Sequence, residues 1–378
     1  MMEHMKPIVY ADNAATTKLD TDAFEAMIPW LTNEYGNASQ PYAFSRKPKK
    51  ALAKARDTIA KCINALPEEI YFTSGGTESD NWAIKGSAFS DSEKRATITS
   101  TIEHHAVLHA CEAIERLGYP VAYLAPDNSG VITPSRLEEI ITDRTRLVSI
   151  MFSNNEIGTI EPIKELVEVS HRYGALFHAD AVQAVGHVEI DVKDLGVDML
   201  SASAHKFNGP KGVGFLYIRK GVDISPFNDG GAQESSRRAG TENIAAIVGM
   251  AVALKKNCDN IQVNAAHIES LEEKLLSGIQ ALDYIRNGAP QHVPGNISLS
   301  FNKADGEAIL HRMDLMGICI STGSACDSAN TQISHVIKAI GVPEEYATGT
   351  IRISLSKDNT LEEVNTIVDA LVRILGSK

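Results

Sequence analysis

The sequence has few features that would mark a secreted, membrane-bound or nucleic-acid-binding protein. Its five cysteines are odd in number and never spaced CxxC, which argues against a disulfide framework and a structural zinc site. No apolar stretch approaches the ~20 residues that cross a bilayer, and MMEHMKPIVY lacks the apolar core of a signal peptide. The net charge is −12, and no basic run exceeds RKPKK at 46–50. We therefore expect a cytoplasmic protein, with no membrane partner and no direct nucleic-acid partner.

What the sequence does contain is an alternation of apolar runs and helical patterns from about Ile70 to Ile218. Such an alternation predicts an α/β fold with a mostly parallel sheet and helices on both faces. After about Leu254 the pattern becomes that of a smaller α+β domain. The apolar runs that predict seven strands are EIYFTS, RATITS, PVAYLA, RLVSIMF, ALFHAD, MLSASAH and GVGFLYI. Because ligands of open α/β sheets bind beyond the carboxyl ends of the strands, the polar residues there are the candidate site.

Two of these strand ends have more than one interpretation. SGGTES, residues 74–79, follows a predicted strand and opens a predicted helix, so its N–H groups and the Thr77 hydroxyl could cradle a phosphate. The same residues also fit a glycine turn in which Thr77 caps the helix. Asp180 ends the strand of FHAD, where a buried carboxylate would need a cationic partner, but it could equally be a helix cap.

The histidines of TIEHHAVLH are a second ambiguous group. His105 and His109 have the i, i+4 spacing of metal ligands, but the HExxH pattern is absent, so we predict no metal site. His104 directly follows the strand and is the better candidate for acid–base work or for stacking on a flat cofactor. Its other interpretation is a packed loop histidine.

One cofactor, pyridoxal 5′-phosphate, requires all these groups together. It needs a lysine amine, an anion cradle, a carboxylate for its ring nitrogen and a donor to its phenolic oxygen. A lysine occurs in SAHKFNGPKGVG, between a run of small residues and a glycine-rich loop. The strand ends thus offer Lys206, Thr77, Ser203, His205, Asp180, Asn155 and Gln183.

Over nearly its whole length the sequence resembles the class V aminotransferase-like cysteine desulfurases of the NifS/IscS type. The motifs follow the order of that family. They are YADNAATT, YGN, FTSGGTESDNWAIKG, EHHAVL, SNNEIGTIEPI, FHADAVQAVG, SASAHKFNGPKGVGFLYIR, RRAGTEN, STGSACDS, SHVIKAIG and TIRISL. The resemblance implies the type I fold of pyridoxal-phosphate-dependent transferases, with a large cofactor-binding domain at 15–255. It also implies a small α+β domain, formed by 1–14 and 256–378, that carries a cysteine loop.

The resemblance implies a role for each matching residue. Lys206 forms the Schiff base, and Asp180 pairs with the ring nitrogen. Asn155 and Gln183 contact the phenolic oxygen, and His104 stacks on the ring and moves protons. The substrate carboxylate is received by Arg352, aided by Asn37 and Asn155. The implied phosphate ligands are Gly76, Thr77, Ser203, His205 and, from the other subunit of a homodimer, Thr241.

Cys326 is the implied sulfur carrier. It lies in the polar, small-residue stretch STGSACDSANTQIS, which is typical of an accessible loop, whereas Cys62 and Cys111 lie in helical patterns and Cys319 in a predicted strand. By resemblance, L-cysteine loses its sulfur to the Cys326 thiolate, which leaves a persulfide and alanine. The spacing from Cys326 to SHVIKAIG resembles the long-loop, IscS-like group.

The expected acceptors of this sulfur are an iron–sulfur scaffold protein, the tRNA thiolation pathway or another sulfur acceptor. The resemblance also leaves room for Cys326 to donate to an iron–sulfur cluster on a partner. Two other activities remain open on the same fold, a selenocysteine lyase and a class V aminotransferase.

One segment departs from the family pattern. The usual GNPSSxHxxGR is here GNASQPYAFSR, residues 36–46, which keeps Asn37 and Arg46 but replaces four other positions. The replacing residues are Ala38, Gln40, Tyr42 and Ser45.

Overall fold

All seven apolar runs form the strands of one sheet in the computed structural model, which describes residues 8–91, 93–322 and 333–376. The strand order is β2-β8-β7-β6-β5-β3-β4. Only β8 runs antiparallel to its neighbours, β2 and β7. The other pairs, β3–β4, β3–β5, β5–β6 and β6–β7, are parallel. The predicted mostly parallel sheet is therefore confirmed. The strands are β1 Val9–Tyr10, β2 Ile70–Thr73, β3 Ala96–Ser100, β4 Val121–Leu124, β5 Thr145–Ser149, β6 Leu176–Asp180, β7 Met199–Ser203, β8 Gly214–Ile218, β9 Tyr284–Asn287, β10 Asn296–Phe301, β11 Ile318–Cys319 and β12 Thr350–Ser354.

Helices cover both faces of this sheet, as predicted. Along a strand, alternate side chains point to opposite faces, and here both sets are buried. Val148 and Phe177 pack in one core with α2 and α9, whereas Leu147 and Met199 pack in another with α3 and α4. The helices are α1 Thr21–Thr32, α2 Arg46–Cys62, α3 Gly76–Ser90, α4 His105–Glu115, α5 Pro134–Ile140, α6 Ile163–Arg172, α7 Val192–Leu195, α8 Gln233–Ser236, α9 Ile244–Cys258, α10 Ile261–Gly278, α11 Gly306–Leu315, α12 His335–Ala339, α13 Glu344–Ala347 and α14 Leu361–Leu375.

A separate core lies around a three-stranded antiparallel sheet in the order β12-β10-β9. Helices α10, α11 and α14 pack against it, and α14 begins with a capping box in which Thr360 and Glu363 satisfy each other's backbone N–H groups. The first described strand belongs to this core, because β1 pairs in parallel with β11 and buries Val9. The two cores agree with a large and a small region, and the domain boundaries near residues 14 and 255 stay a prediction.

None of the helices in the described ranges is long and apolar enough to cross a membrane.

Candidate active site

The carboxyl ends of the parallel strands open into a cavity of about 520 Å³. Residues at or after the carboxyl ends of β2, β3, β5, β6 and β7 line it, together with residues 14–16 and Arg352 of β12. The lining residues that sequence analysis singled out are Gly76, Thr77, His104, His105, Asn155, Asp180, Gln183, Ser203, His205, Lys206 and Arg352.

Lys206 enters the cavity from a short 3-10 turn, Ala204–Lys206, directly after β7. Its Nζ donates to the carbonyl oxygens of Ala14 and, at 3.0 Å, Ala15. The turn is held by Gly209, whose N–H donates to Ala204 O at 2.8 Å. A Cβ at position 209 would lie 2.8 Å from Ala204 Cβ and from Ala204 O, so only glycine fits there. The glycine-rich loop after the lysine thus stabilises the turn that positions the Lys206 amine in the cavity.

The backbone between β2 and α3 forms a concave surface beside this amine. α3 begins at Gly76 without a side-chain cap, so the N–H groups of its first turn have no partner within the helix and are suited to binding an anion. A Cβ at Gly76 would lie 2.6 Å from Val182 Cγ2, and one at Gly214 would lie 2.8 Å from Gly75 Cα. The close approach of these backbones requires glycine. Ser203 is buried beside them, and the Thr77 side chain is exposed.

Asp180, the last residue of β6, is 5% exposed. Its Oδ1 accepts a hydrogen bond from Val182 N at 3.0 Å. Burial raises the pKa of Asp180 to about 6, and the nearby charge of Lys206 opposes that increase. The carboxylate is therefore ionised at neutral pH. Gln183 lies on the next turn and donates from Nε2 to Ala14 O at 3.0 Å.

Two histidines at the cavity are held neutral. His104 caps α4, with Nδ1 accepting from Ala106 N at 3.1 Å, so its neutral ring carries hydrogen at Nε2. Burial and then the charge of Lys206 lower the pKa of His104 to about 4. The same two causes lower the pKa of His205 to about 4, and its Nδ1 lies 3.2 Å from Thr16 Oγ1.

Arg352, on β12, brings a guanidinium into the cavity from the smaller core. The residue is 2% exposed. Nη1 donates to Asn155 O at 2.9 Å, and Nη2 donates to Asp12 Oδ1 at 2.7 Å. Nε is buried and has no hydrogen-bond partner in the described part of the protein. A buried donor without an acceptor is costly, so this edge of the guanidinium is suited to an anionic ligand.

Two predicted site residues of the described ranges, Asn37 and Thr241, do not line the cavity. Asn37 is half-buried, and its Oδ1 accepts from Ser39 N at 2.9 Å. Thr241 is exposed in the segment before α9. Cys326 lies outside the described residues. His109 is exposed and stacks on His105, with ring centroids 5.2 Å apart.

Other residues that line the cavity were assigned no role from the sequence, although Glu103 lies among the strand-end residues that form the candidate site. Glu103 is fully buried, with Oε1 accepting from Ser100 Oγ at 2.6 Å and from Met151 N at 3.1 Å. His335 begins α12, and its Nε2 lies 3.1 Å from Glu103 O. Asp80 is 1% exposed. Each of the three lies inside a quoted motif. For Asp80, the signal in the sequence is a carboxyl group at a position of α3 that helical spacing predicts to be buried.

The side chains at this cavity fit pyridoxal 5′-phosphate. The amine of Lys206 lies in the same cavity as the ionised carboxylate of Asp180 and the free N–H groups at the start of α3. The glycines allow the β2–α3 segment to pack closely against Val182 and β8 at the wall of this cavity. The fold and this set of donors define the class of protein, a pyridoxal-phosphate-dependent enzyme of fold type I.

Comparison with known proteins narrows the class. Residues 9–367 match the family model of class-V aminotransferases. The cysteine desulfurase IscS of Methanosarcina thermophila is 47% identical over 97% of this chain and 92% of that protein. The enzyme of the same name from Dictyoglomus turgidum is 47% identical over 98% of this chain and 95% of that protein.

Solved structures agree with these relatives. A NifS-like protein superposes with a TM-score of 0.92 at 39% identity, covering 97% of this chain and 99% of that one. SspA, solved in complex with cysteine, superposes with a TM-score of 0.83 at 36% identity, covering 93% of this chain and 99% of that one. The chain belongs to the class-V aminotransferase family and, within it, to the cysteine desulfurases, which depend on pyridoxal 5′-phosphate.

Proposed function

We propose that this chain takes sulfur from L-cysteine at the cavity beyond the sheet, releases L-alanine and holds the sulfur as a persulfide on Cys326. The observation that carries the proposal is that an amine, a buried carboxyl group and a buried guanidinium share one cavity. These are the groups that hold an aldehyde cofactor, keep its ring nitrogen protonated and bind an amino-acid carboxylate.

The cofactor has a proposed place along the strand ends. Lys206 would hold it through Nζ, and Asp180 would face its ring nitrogen. Asn155 and Gln183 would contact its phenolic oxygen. When bound, the cofactor supplies an electron sink that labilises bonds at the substrate's α- and β-carbons. The phosphate would be held by Gly76, Thr77, Ser203, His205 and, across a dimer interface, Thr241.

Arg352 is the proposed receptor for the substrate carboxylate. Its Nε has no acceptor, and its Nη2 is held by Asp12, which is partly exposed at 19% of its side chain. A substrate carboxylate can engage Nε and Nη2 together if Asp12 releases Nη2. Asp12 would thus keep the guanidinium oriented before substrate binds. Asn37 is the further residue that we assign to substrate binding.

Proton movement is assigned to Lys206 and His104. Both line the cavity, and the lowered pKa of His104 keeps its imidazole neutral at physiological pH. His104 can accept a proton only where Nδ1 releases the Ala106 N–H, because Nε2 of the neutral ring already carries hydrogen. The imidazolium that forms can then return the proton, and the reaction requires such an exchange between removal of the α-proton and formation of the methyl group of alanine.

The sulfur step is a transfer to a thiolate. The bond between Cβ and sulfur of L-cysteine breaks, and a bond forms between that sulfur and Cys326 Sγ. The product is alanine plus a persulfide, so one sulfur atom is transferred and no external oxidant is needed. A thiolate is the suitable nucleophile, because a cysteine has a reference pKa of about 8.5 and ionises near neutrality.

The test is Cys326→Ser, with Cys319→Ser as the matched control a few residues away in β11. We expect the Cys326 variant to bind L-cysteine but to release almost no alanine, and the Cys319 variant to behave as wild type. Mass spectrometry after exposure to L-cysteine should find one added sulfur on the Cys326 peptide. Full alanine release by Cys326→Ser would reject the sulfur carrier and favour a selenocysteine lyase or another lyase of this fold.

We further propose that the enzyme is a homodimer, because Thr241 lies away from the cavity of its own chain. An iron–sulfur scaffold or another sulfur acceptor would then receive the persulfide. The cytoplasmic location stays a prediction.

A further inference from the structure

A second buried carboxyl group lines the same cavity as Asp180. Asp80, on α3, is 1% exposed and lines the same cavity, and none of the roles proposed above uses it. Its Oδ1 lies 3.7 Å from His178 Nε2. His178 and Asp180 are two residues apart on β6, so both side chains project from the same face of the sheet. Both carboxyl groups therefore line the cavity at this face of the sheet, and both are almost completely buried.

His178 does not supply the positive charge that an ionised Asp80 would need. The imidazole is fully buried between two hydroxyl groups, with Nδ1 2.9 Å from Ser149 Oγ and Nε2 2.9 Å from Ser201 Oγ. Its separation from Asp80 is too long for a hydrogen bond. Burial lowers the pKa of His178 to about 3, so the ring is neutral. Both ring nitrogens are already satisfied by serine.

The two carboxyl groups differ in what stabilises a negative charge. Asp180 accepts the Val182 N–H and lies near the cation of Lys206. Asp80 Oδ1 accepts no hydrogen bond from the described residues, although the Ser201 hydroxyl hydrogen-bonds to the side chain and favours its charged form. The neutral His178 and the acids Asp180 and Glu103 are the other titratable groups around it. Two ionised carboxylates in one buried region repel strongly, so one of them keeps a proton.

We propose that Asp80 is a positioning residue that holds a proton at neutral pH and so leaves the single negative charge of the pair on Asp180. The direction of the titration agrees: burial first, and then the charge of Asp180, raise the pKa of Asp80 well above its usual range. This inference rests on the proposed function in one respect, which is that the negative charge of Asp180 would face the ring nitrogen of the cofactor.

Infrared spectroscopy of the cofactor-free enzyme tests this assignment. A protonated carboxyl group gives a C=O stretch that an ionised one lacks. Incorporation of aspartate with a heavy carbon isotope in the side-chain carboxyl shifts only the aspartate bands, which separates Asp80 from the buried acid Glu103. We expect wild type at neutral pH to show one aspartic acid band, which is lost in Asp80→Asn and kept in Asp180→Asn. Asparagine preserves the shape of each side chain.

Several outcomes would overturn the proposal. An absent aspartic acid band in wild type would mean that both carboxyl groups are ionised. A band that survives in Asp80→Asn and disappears in Asp180→Asn would place the proton on the other residue, and loss in both variants would mean a shared proton. If Asp80→Asn does not fold, the isotope-labelled wild type still decides whether a protonated aspartate exists. Its pH titration must then show loss of this band only well above pH 7.

The result is separable from the desulfurase proposal. An Asp80 band in a protein that releases no alanine from L-cysteine would sustain this inference and reject the proposed function. Alanine release from L-cysteine by a protein that lacks the Asp80 band would support the proposed function and reject this inference.

Discussion

The cofactor side and the substrate side of the cavity are built in different ways. On the cofactor side, Thr77, Asp180 and Lys206 each end or directly follow a strand of the seven-stranded sheet. On the substrate side, Arg352 comes from the three-stranded sheet and meets Asp12, 340 positions away in sequence. The cofactor side is thus set by one sheet, whereas the substrate side depends on how the smaller core packs against it. Substitutions on the two sides should have separable effects.

The largest effect is expected on the substrate side, from Arg352→Lys. Lysine keeps the charge but loses the planar fork that can bind a carboxylate through two N–H groups. Loss of one hydrogen bond to a charged group costs about 1.5–3 kcal/mol, so the KM for L-cysteine should rise about 10- to 100-fold. Steady-state kinetics measure KM, and absorbance of the bound cofactor is the control and should not change. Loss of cofactor without a change in KM would place Arg352 on the cofactor side.

Thr241→Val tests whether the cofactor side is completed by a second subunit. If the hydroxyl contributes one hydrogen bond to the phosphate, cofactor affinity should fall about 10-fold or more, because such bonds are worth about 1.5–3 kcal/mol. Equilibrium dialysis measures the affinity. Thr366→Val is the matched control, an exposed threonine on α14 whose hydroxyl bonds only within its own helix, to Glu362 O. A fully active monomer, or an unchanged affinity in Thr241→Val, would contradict the dimeric site.

A change of a few degrees in Tm is expected from a substitution that alters the stability of the cofactor-free protein. The pKa of Asp180 is raised in the folded state, from its usual 3.8 to about 6. The stability that protonation provides is complete below pH 4 and is lost as pH rises through about 6. Because asparagine does not ionise, Asp180→Asn should be more stable than wild type at pH 8, by up to about 3 kcal/mol.

Thermal unfolding at two pH values checks this sign. We expect the Tm of Asp180→Asn to exceed that of wild type by a few degrees at pH 8 and to match it near pH 4. If the Tm difference between Asp180→Asn and wild type is the same at both pH values, the ionisation of Asp180 does not destabilise the folded protein.

The same contrast between the two sides explains what the sequence could predict. Strand patterns predicted the seven-stranded sheet, and the rule that ligands bind at strand ends predicted that Asp180 and Lys206 would share a cavity. No local pattern could predict that Asp12 holds Arg352, because the pair depends on packing between distant segments. Asp80 received no role from the sequence. Helical spacing predicts that its side chain is buried, but it does not predict that the carboxyl group of Asp180 lines the same cavity. The roles of individual residues remain predictions, and Cys326 lies outside the described residues.

The account's central claim is that Lys206 carries the cofactor at the end of β7. Borohydride reduction of the purified holoenzyme, followed by peptide mapping, tests it most directly, because reduction fixes the cofactor to the amine that holds it. We predict a yellow protein whose pyridoxyl group maps to the peptide containing Lys206. A pyridoxyl group on Lys211, which also lines the cavity, or on Lys85 of α3 would contradict the account.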